Sequence, residues 1–172
     1  MRRHVFLAGI LAAMCSTILL ASPGARGNPS PQPVPSMDFQ WPLTPQPSVL
    51  TPFQPPAHSY GPGHRGVDLA AAPGAPVLAA APGTVTFAGP VAGRNVVSID
   101  HSGGLRTTYE PLTPTVSAGQ RVQAGQTIGT LNSGHSGCSP LTCLHWGLRE
   151  GENYLDPLSV LDLGHIRLLP LS

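Results

Sequence analysis

A mostly β fold, a single antiparallel sheet or sandwich domain, is predicted for this chain by three observations. Apolar segments of strand length recur between residues 76 and 149, too short for helices. Glycine (20) and proline (21) are abundant while aromatic residues make up only 5% of the chain, a balance that favours short strands and turns. No convincing amphipathic helix precedes residue 155. A length of 172 residues suits one domain with appendages.

In chain order, Arg2 and Arg3 precede an apolar run from Val5 to Ala21, and Ala25-Arg26-Gly27 offers a small-residue cleavage site. Residues 1–27 are therefore expected to be a secretory signal peptide. The alternative is an uncleaved membrane anchor, since the run is near the minimum spanning length. Met14 before Cys15 does not suit a lipoprotein site. Residues 28–38 are proline-rich and too polar to build a core, which predicts an extended linker.

From residue 39 the apolar side chains Phe39, Trp41, Leu43, Val49, Leu50 and Phe53 appear among the prolines. They predict an ordered lead-in lying against the domain, irregular or edge-strand in geometry. Strands are expected at Pro76 to Ala81, Thr84 to Ala88, Asn95 to Asp100, Leu105 to Tyr109, Thr127 to Leu131 and Leu144 to Arg149. Turns are expected at Arg94-Asn95 and at Ser102-Gly103-Gly104. Leu155-Asp156-Pro157-Leu158 begins a short terminal turn. The domain is bounded at 39–163, with 164–172 as a C-terminal tail.

Composition excludes several functions. Charged residues are 10% of the chain, and no basic cluster points to nucleic acid. All nine basic side chains are arginine; after cleavage at Gly27 six remain against eight acids, a balance of −2. Net charge therefore does not steer the chain to an acidic polymer. Val116, Gly119, Val122, Gly125 and Ile128-Gly129 also fit a lipoyl- or biotin-carrier pattern, but such carriers need a lysine and this chain has none. Cleavage would also leave two cysteines, Cys138 and Cys143. In an exported chain they suggest one disulfide closing a short loop, with two free thiols as the alternative.

Chemistry concentrates in His64-Arg65-Gly66-Val67-Asp68, where an imidazole and a carboxylate could ligate one divalent metal. His145, in Cys143-Leu144-His145-Trp146, is the candidate third ligand. Alone, the short run reads more readily as a loop histidine and a turn aspartate. Around it stand Pro73-Gly74-Ala75-Pro76-Val77, Ala81-Pro82-Gly83-Thr84-Val85, Val97-Ser98-Ile99-Asp100-His101, Gly119 and Gly125, and Leu144-His145-Trp146-Gly147. In that order, over about residues 39 to 160, the chain resembles the lysostaphin/LytM-type zinc metallopeptidases, which cut peptide bonds in bacterial peptidoglycan.

That resemblance implies a β domain of the lysostaphin/LytM type with a metal-site groove. It implies zinc as cofactor, with His64, Asp68 and His145 as ligands and one position open to water. It also exposes two departures. One catalytic histidine of the family sits in Tyr-x-His-Leu, which here reads Tyr109-Glu110-Pro111-Leu112; the other is the first histidine of His-x-His, which here is Cys143. Pro111 can carry no proton, and Cys143 bonded to Cys138 would carry none either.

His135, in Ser133-Gly134-His135-Ser136, is the candidate substitute; the plainer reading is a solvated loop histidine. Glu110 adjoins the lost position, but strand alternation is expected to aim it at the opposite face. A free Cys143 would instead be a fourth ligand, closing the site as a structural zinc. His101 belongs to a turn and is assigned no chemistry; His58, His4 and His165 are expected to be incidental. Trp146 and Tyr60 are expected to pack rather than to hold sugar.

Two functions follow. The missing histidines tip the expectation toward a secreted, degenerate, non-catalytic domain of the bacterial cell envelope that binds peptidoglycan peptides or another cell-wall hydrolase. The intact ligand set supports the other, an active zinc metalloendopeptidase with a substituted general base. Membrane association is expected only if the signal stays uncleaved.

Overall fold

The computed structural model describes residues 38–58, 61–138 and 142–161. The expected signal peptide, nearly all of the linker, the C-terminal tail, His4, Cys15, Tyr60 and His165 lie outside the described residues. Eleven strands are described: β1 (Val49–Thr51), β2 (Gly66–Ala70), β3 (Pro76–Leu78), β4 (Gly83–Val91), β5 (Arg94–Asp100), β6 (Leu105–Glu110), β7 (Leu112–Pro114), β8 (Arg121–Val122), β9 (Thr127–Leu131), β10 (Cys143–Glu150) and β11 (Asn153–Leu155). Three short 3-10 turns complete the set, and among the described residues there is no α-helix. The fold is mostly β and antiparallel, as the segment lengths predict.

Strands β1-β2-β10-β6-β5-β4-β8 run in that order through one sheet, with β11 pairing the far end of β10. A second sheet, β3-β9-β7, is made of three short strands from the chain's middle. Buried side chains of both sheets, including Val67, Leu69, Ile99, Leu144 and Trp146 from the first and Val77, Leu112 and Ile128 from the second, form one apolar cluster. Burying these side chains is the main stabilising term, at about 25 cal/mol per Å² of apolar surface removed from water.

Period-2 alternation assigns each side chain of the central strands to a face. On β10, Leu144, Trp146 and Leu148 are at most 1% exposed and belong to the core face. Cys143, His145, Gly147 and Arg149 therefore share the other face. The same argument sends Thr107 and Tyr109 of β6 inward, where both are fully buried, and Arg106, Thr108 and Glu110 outward. One buried face and one polar face are what an antiparallel sheet with a single core demands.

The lead-in lies against the domain as expected. Phe39 and Leu43 are buried in the core cluster, β1 pairs antiparallel with β2 at the sheet edge, and Phe39 bridges Leu161 in parallel. The terminal turn forms over Pro157–Val160, capped by the Asp156 carboxylate, which accepts from the Leu158 backbone N–H at 2.9 Å.

One expectation is corrected. The first turn falls at Ala92-Gly93, not at Arg94-Asn95, which are the opening residues of β5 and pair with Val91 and Pro90. Ala92 and Gly93 both have positive φ (48° and 85°), so the β4–β5 connection is a two-residue hairpin turn of the kind that matches strand twist. Alanine rarely occupies that conformation, which hides the turn in the sequence. Asp68 belongs to β2, which excludes the alternative of a turn aspartate.

Candidate metal centre

Three adjacent strands carry the centre. Asp68 of β2, His145 of β10 and Glu110 of β6 are direct cross-strand partners in one row, so their side chains emerge on one face. His64 lies just before β2 and is held to the lead-in, exchanging two backbone hydrogen bonds with Gln54 (2.9 and 3.0 Å). The sequence places His64 and His145 far apart along the chain; the β2–β10 ladder closes that gap.

The candidate ligand atoms converge tightly. His64 Nε2 is 3.1 Å from Asp68 Oδ1 and 3.0 Å from His145 Nδ1, and His145 Nδ1 is 2.9 Å from Asp68 Oδ1. His64 Nδ1 donates to the Pro52 carbonyl at 2.8 Å, which leaves a lone pair on Nε2 of the neutral ring. Three acceptor atoms therefore face one point, and a single proton on His145 Nδ1 can satisfy only one of its two neighbours. A cation satisfies all three. Tetrahedral zinc with bonds of about 2.0–2.1 Å would hold its donors about 3.3 Å apart, close to the separations present. The donor set thus fits a zinc ion, with the Pro52 carbonyl as the outer group that orients a ligand.

Electrostatics agree with that fit. Asp68 is 1% exposed, and burial alone would raise its pKa. The His145 hydrogen bond and the nearby His64 and His145 imidazoles outweigh burial and hold the carboxyl below its ordinary value. Gly66 contributes by having no side chain. A Cβ there would collide with the Trp146 carbonyl oxygen and lie 2.8 Å from His145 Nε2, so the β10 backbone and the imidazole together occupy the space that any other residue would fill.

His135 enters the same centre. Its ring stacks on that of His145 with centroids 5.4 Å apart and planes 9° from parallel, and its Nδ1 is 4.0 Å from Asp68 Oδ1. Its side chain is 14% exposed, so it is not the solvated loop histidine of the plainer reading. Nδ1 accepts from the Gly137 backbone N–H at 3.3 Å, which leaves the proton of the neutral ring on Nε2. Burial lowers its pKa, with the Asp68 charge opposing. The short 3-10 turn after it ends at Cys138, which is disulfide-bonded to Cys143 with Cα atoms 5.9 Å apart. That bond ties the His135 loop to the strand bearing His145. It also removes Cys143 as a fourth ligand, because its sulfur has no thiolate to offer.

Glu110 corrects an expectation. It faces the centre rather than the opposite side, because Tyr109 pairs with Trp146 in the core and alternation then turns Glu110 outward beside His145. Arg94 holds its carboxylate at 3.0 Å. Pro111 follows the end of β6; its carbonyl accepts from the Asn132 backbone N–H at 3.0 Å.

The remaining candidates have structural roles. Trp146 is fully buried and packs. His101 is 7% exposed, with Nδ1 donating to the Pro82 carbonyl at 2.8 Å and Nε2 2.7 Å from the Thr107 hydroxyl. That hydroxyl reaches the Tyr109 phenol at 2.9 Å, whose pKa burial pushes up to about 12. His58 is exposed, and its carbonyl accepts from the Gly61 N–H at 2.8 Å. Sequence reasoning missed Gly66, the Pro52 carbonyl and the facing of Glu110; the glycine between His64 and Asp68 was the one available signal.

Comparison with known proteins agrees with this geometry. Residues 62–157 match Peptidase family M23. An uncharacterised protein of Mycobacterium tuberculosis, Rv2891, is 53% identical over 136 residues, covering 77% of this chain; the chain spans 55% of that protein's length. The DD-carboxypeptidase/endopeptidase Mpg of Neisseria meningitidis serogroup B is 38% identical over 98 residues, 56% of this chain and 22% of Mpg. Among solved structures, lysostaphin from Staphylococcus simulans superposes with a TM-score of 0.60 at 26% identity, over 74% of this chain and 54% of lysostaphin.

Proposed function

The chain belongs to peptidase family M23, and from that premise we propose that it is an exported zinc metalloendopeptidase that cuts peptide bonds of bacterial peptidoglycan. The observation that carries the reading is His135, a third imidazole stacked on His145 and 4.0 Å from Asp68. It answers the loss of the family's histidines at Pro111 and Cys143. The similarity to Mpg, a DD-carboxypeptidase/endopeptidase, supports the reaction class.

His64, Asp68 and His145 would hold the metal. Zinc so bound supplies Lewis acidity and a water of lowered pKa. The Pro52 carbonyl keeps the His64 proton on Nδ1 and so keeps Nε2 turned to the metal. His135 holds a proton on Nε2 that it can present to the substrate's carbonyl oxygen or leaving nitrogen. Glu110, fixed by Arg94, presents a carboxylate on the same face that can take a proton from water. The disulfide between Cys138 and Cys143 fixes the loop that carries His135.

A non-cutting domain that binds the wall or a wall-hydrolase partner is the second reading, favoured by Pro111 and by the oxidised Cys143. Both readings meet in one experiment. The zinc-loaded chain is incubated with purified peptidoglycan, beside a His64→Ala control, and soluble fragments with new amino termini are quantified. Release that vanishes in the control supports the peptidase. Zinc bound at one per chain without release overturns it in favour of the binding domain.

A further inference from the structure

The polar face of the large sheet does more than display the metal ligands. A groove of about 320 Å³ opens beside His145 and runs along β10, β6 and β5 toward Arg149. Four arginines, Arg65, Arg94, Arg106 and Arg149, line it together with a single glutamate, Glu110. Those are four of the six arginines that follow residue 27, in a stretch whose acids outnumber its bases. The concentration of positive charge is therefore local to this groove.

Two of these arginines are set against each other. Arg149 of β10 and Arg106 of β6 are direct cross-strand partners, a like-charge pairing that costs stability unless an anion balances it. Asp100, the next partner in the row on β5, is taken up by Arg106, which donates to both of its carboxylate oxygens, from Nη2 at 2.8 Å. Arg149 has a looser contact, 4.0 Å to Glu152, whose side chain is 97% exposed. The fold itself leaves Arg149 the less neutralised of the two.

The floor between Arg149 and the centre is low. Gly147, Thr108 and Ser98 form the intervening row, and a side chain at Gly147 would collide with Thr108. Val91 and Tyr154, 45% and 38% exposed, stand on the groove as apolar walls. Four residues of strand separate His145 from Arg149, which is about 13 Å at 3.3–3.4 Å per residue. An extended peptide lying along the strand covers that distance in about four residues.

We propose, resting on the peptidase reading above, that this groove seats an extended acidic peptide whose free carboxylate, about four residues from the cleaved bond, is bound by Arg149 beside Arg106. Arginine is suited to this because its planar guanidinium takes a carboxylate through paired charge-assisted hydrogen bonds. Specificity would come from the carboxylate, since an amidated peptide offers no anion to Arg149, the less neutralised of the pair.

The test uses two synthetic peptides differing only in a terminal carboxylate or carboxamide, titrated into the zinc-loaded full chain and followed by NMR at low ionic strength. The acid is expected to bind about tenfold more tightly than the amide. Arg149→Gln should cut that preference to about twofold or less, with the unshifted core resonances reporting an intact fold. Glu152→Gln, at an exposed position, should strengthen it. Equal binding of the two peptides, a preference that survives Arg149→Gln, or no binding of either overturns the proposal. Peptidoglycan cleavage by the same preparation is scored separately: cleavage without an acid preference overturns this groove assignment alone, and an acid preference without cleavage overturns the peptidase reading alone.

Discussion

Glu110 stands directly across the β6–β10 ladder from His145, and both side chains leave the sheet on the metal-site face. A carboxylate is thereby brought beside a metal ligand by register alone. Glu110→Gln should lower peptide hydrolysis by about 10²-fold, the lower range for a placed proton-transfer group, while zinc stoichiometry stays at one. Its ion pair with half-exposed Arg94 is of the kind that contributes about 1 kcal/mol or less, so thermal stability should barely move. Parallel kinetics, metal analysis and melting curves check all three outcomes.

His135→Ala should reduce hydrolysis by about 10²–10³-fold, again without loss of zinc. If His135 and Glu110 act on the same proton path, the double variant loses less than the product of the single effects. A double-mutant cycle on the turnover rate measures this coupling. A His135→Ala chain as active as the parent would remove His135 from the reaction.

Gly66→Ala should weaken zinc binding, because the new methyl would collide with the Trp146 carbonyl oxygen and lie 2.8 Å from His145 Nε2, pushing β10 and that ring away from β2. Overpacking of this kind typically costs about 1–3 kcal/mol of stability. Gly89→Ala is the control: its added Cβ meets only Phe87, at 3.5 Å. Chelator competition and urea unfolding of the two variants should diverge.

Replacing both Cys138 and Cys143 by serine should lower stability by about 2 kcal/mol, the loop-entropy value for so short a ring. Zinc should remain bound, since His64, Asp68 and His145 do not depend on that loop for contact with one another. Hydrolysis should fall because His135 loses its tether to β10. Comparing zinc content with turnover in this variant separates the two effects.

Stability should decrease as pH drops below about 6.5, and His101 should contribute to the slope. Burial lowers its pKa in the folded chain, with the Pro82 hydrogen bond and the Asp100 charge opposing but not prevailing. The unfolded chain then binds a proton at a pH where the folded chain does not, so acid favours unfolding. The slope attributable to one such group is at most about 1.4 kcal/mol per pH unit. In His101→Gln, metal-free like its reference, the urea midpoint should fall less steeply between pH 7 and 5.

What the sequence revealed followed from pattern length. Leu144, Trp146 and Leu148 alternate with polar or small residues over a full strand, so β10 and its core face were legible. In β2 only Val67 and Leu69 alternate, about a single aspartate and after a glycine, and that run is too short to mark a strand. Strands of two or three residues, such as β8 and β11, are shorter than any period can register. For the site, residue type together with the family resemblance nominated His64, Asp68, His145 and His135. Facing was not: it depends on which residue of β6 meets Trp146, a long-range register that no local stretch encodes.

The central place of β10 has a consequence for biosynthesis. This strand lies between β2 and β6 and delivers the last of the candidate ligands at residue 145. A nascent or prematurely terminated chain ending before residue 143 would carry His64 and Asp68 but lack the strand that joins their edge to the rest of the sheet. Such a fragment has no means of assembling the centre, which can form only once β10 itself has been made and has paired with β2.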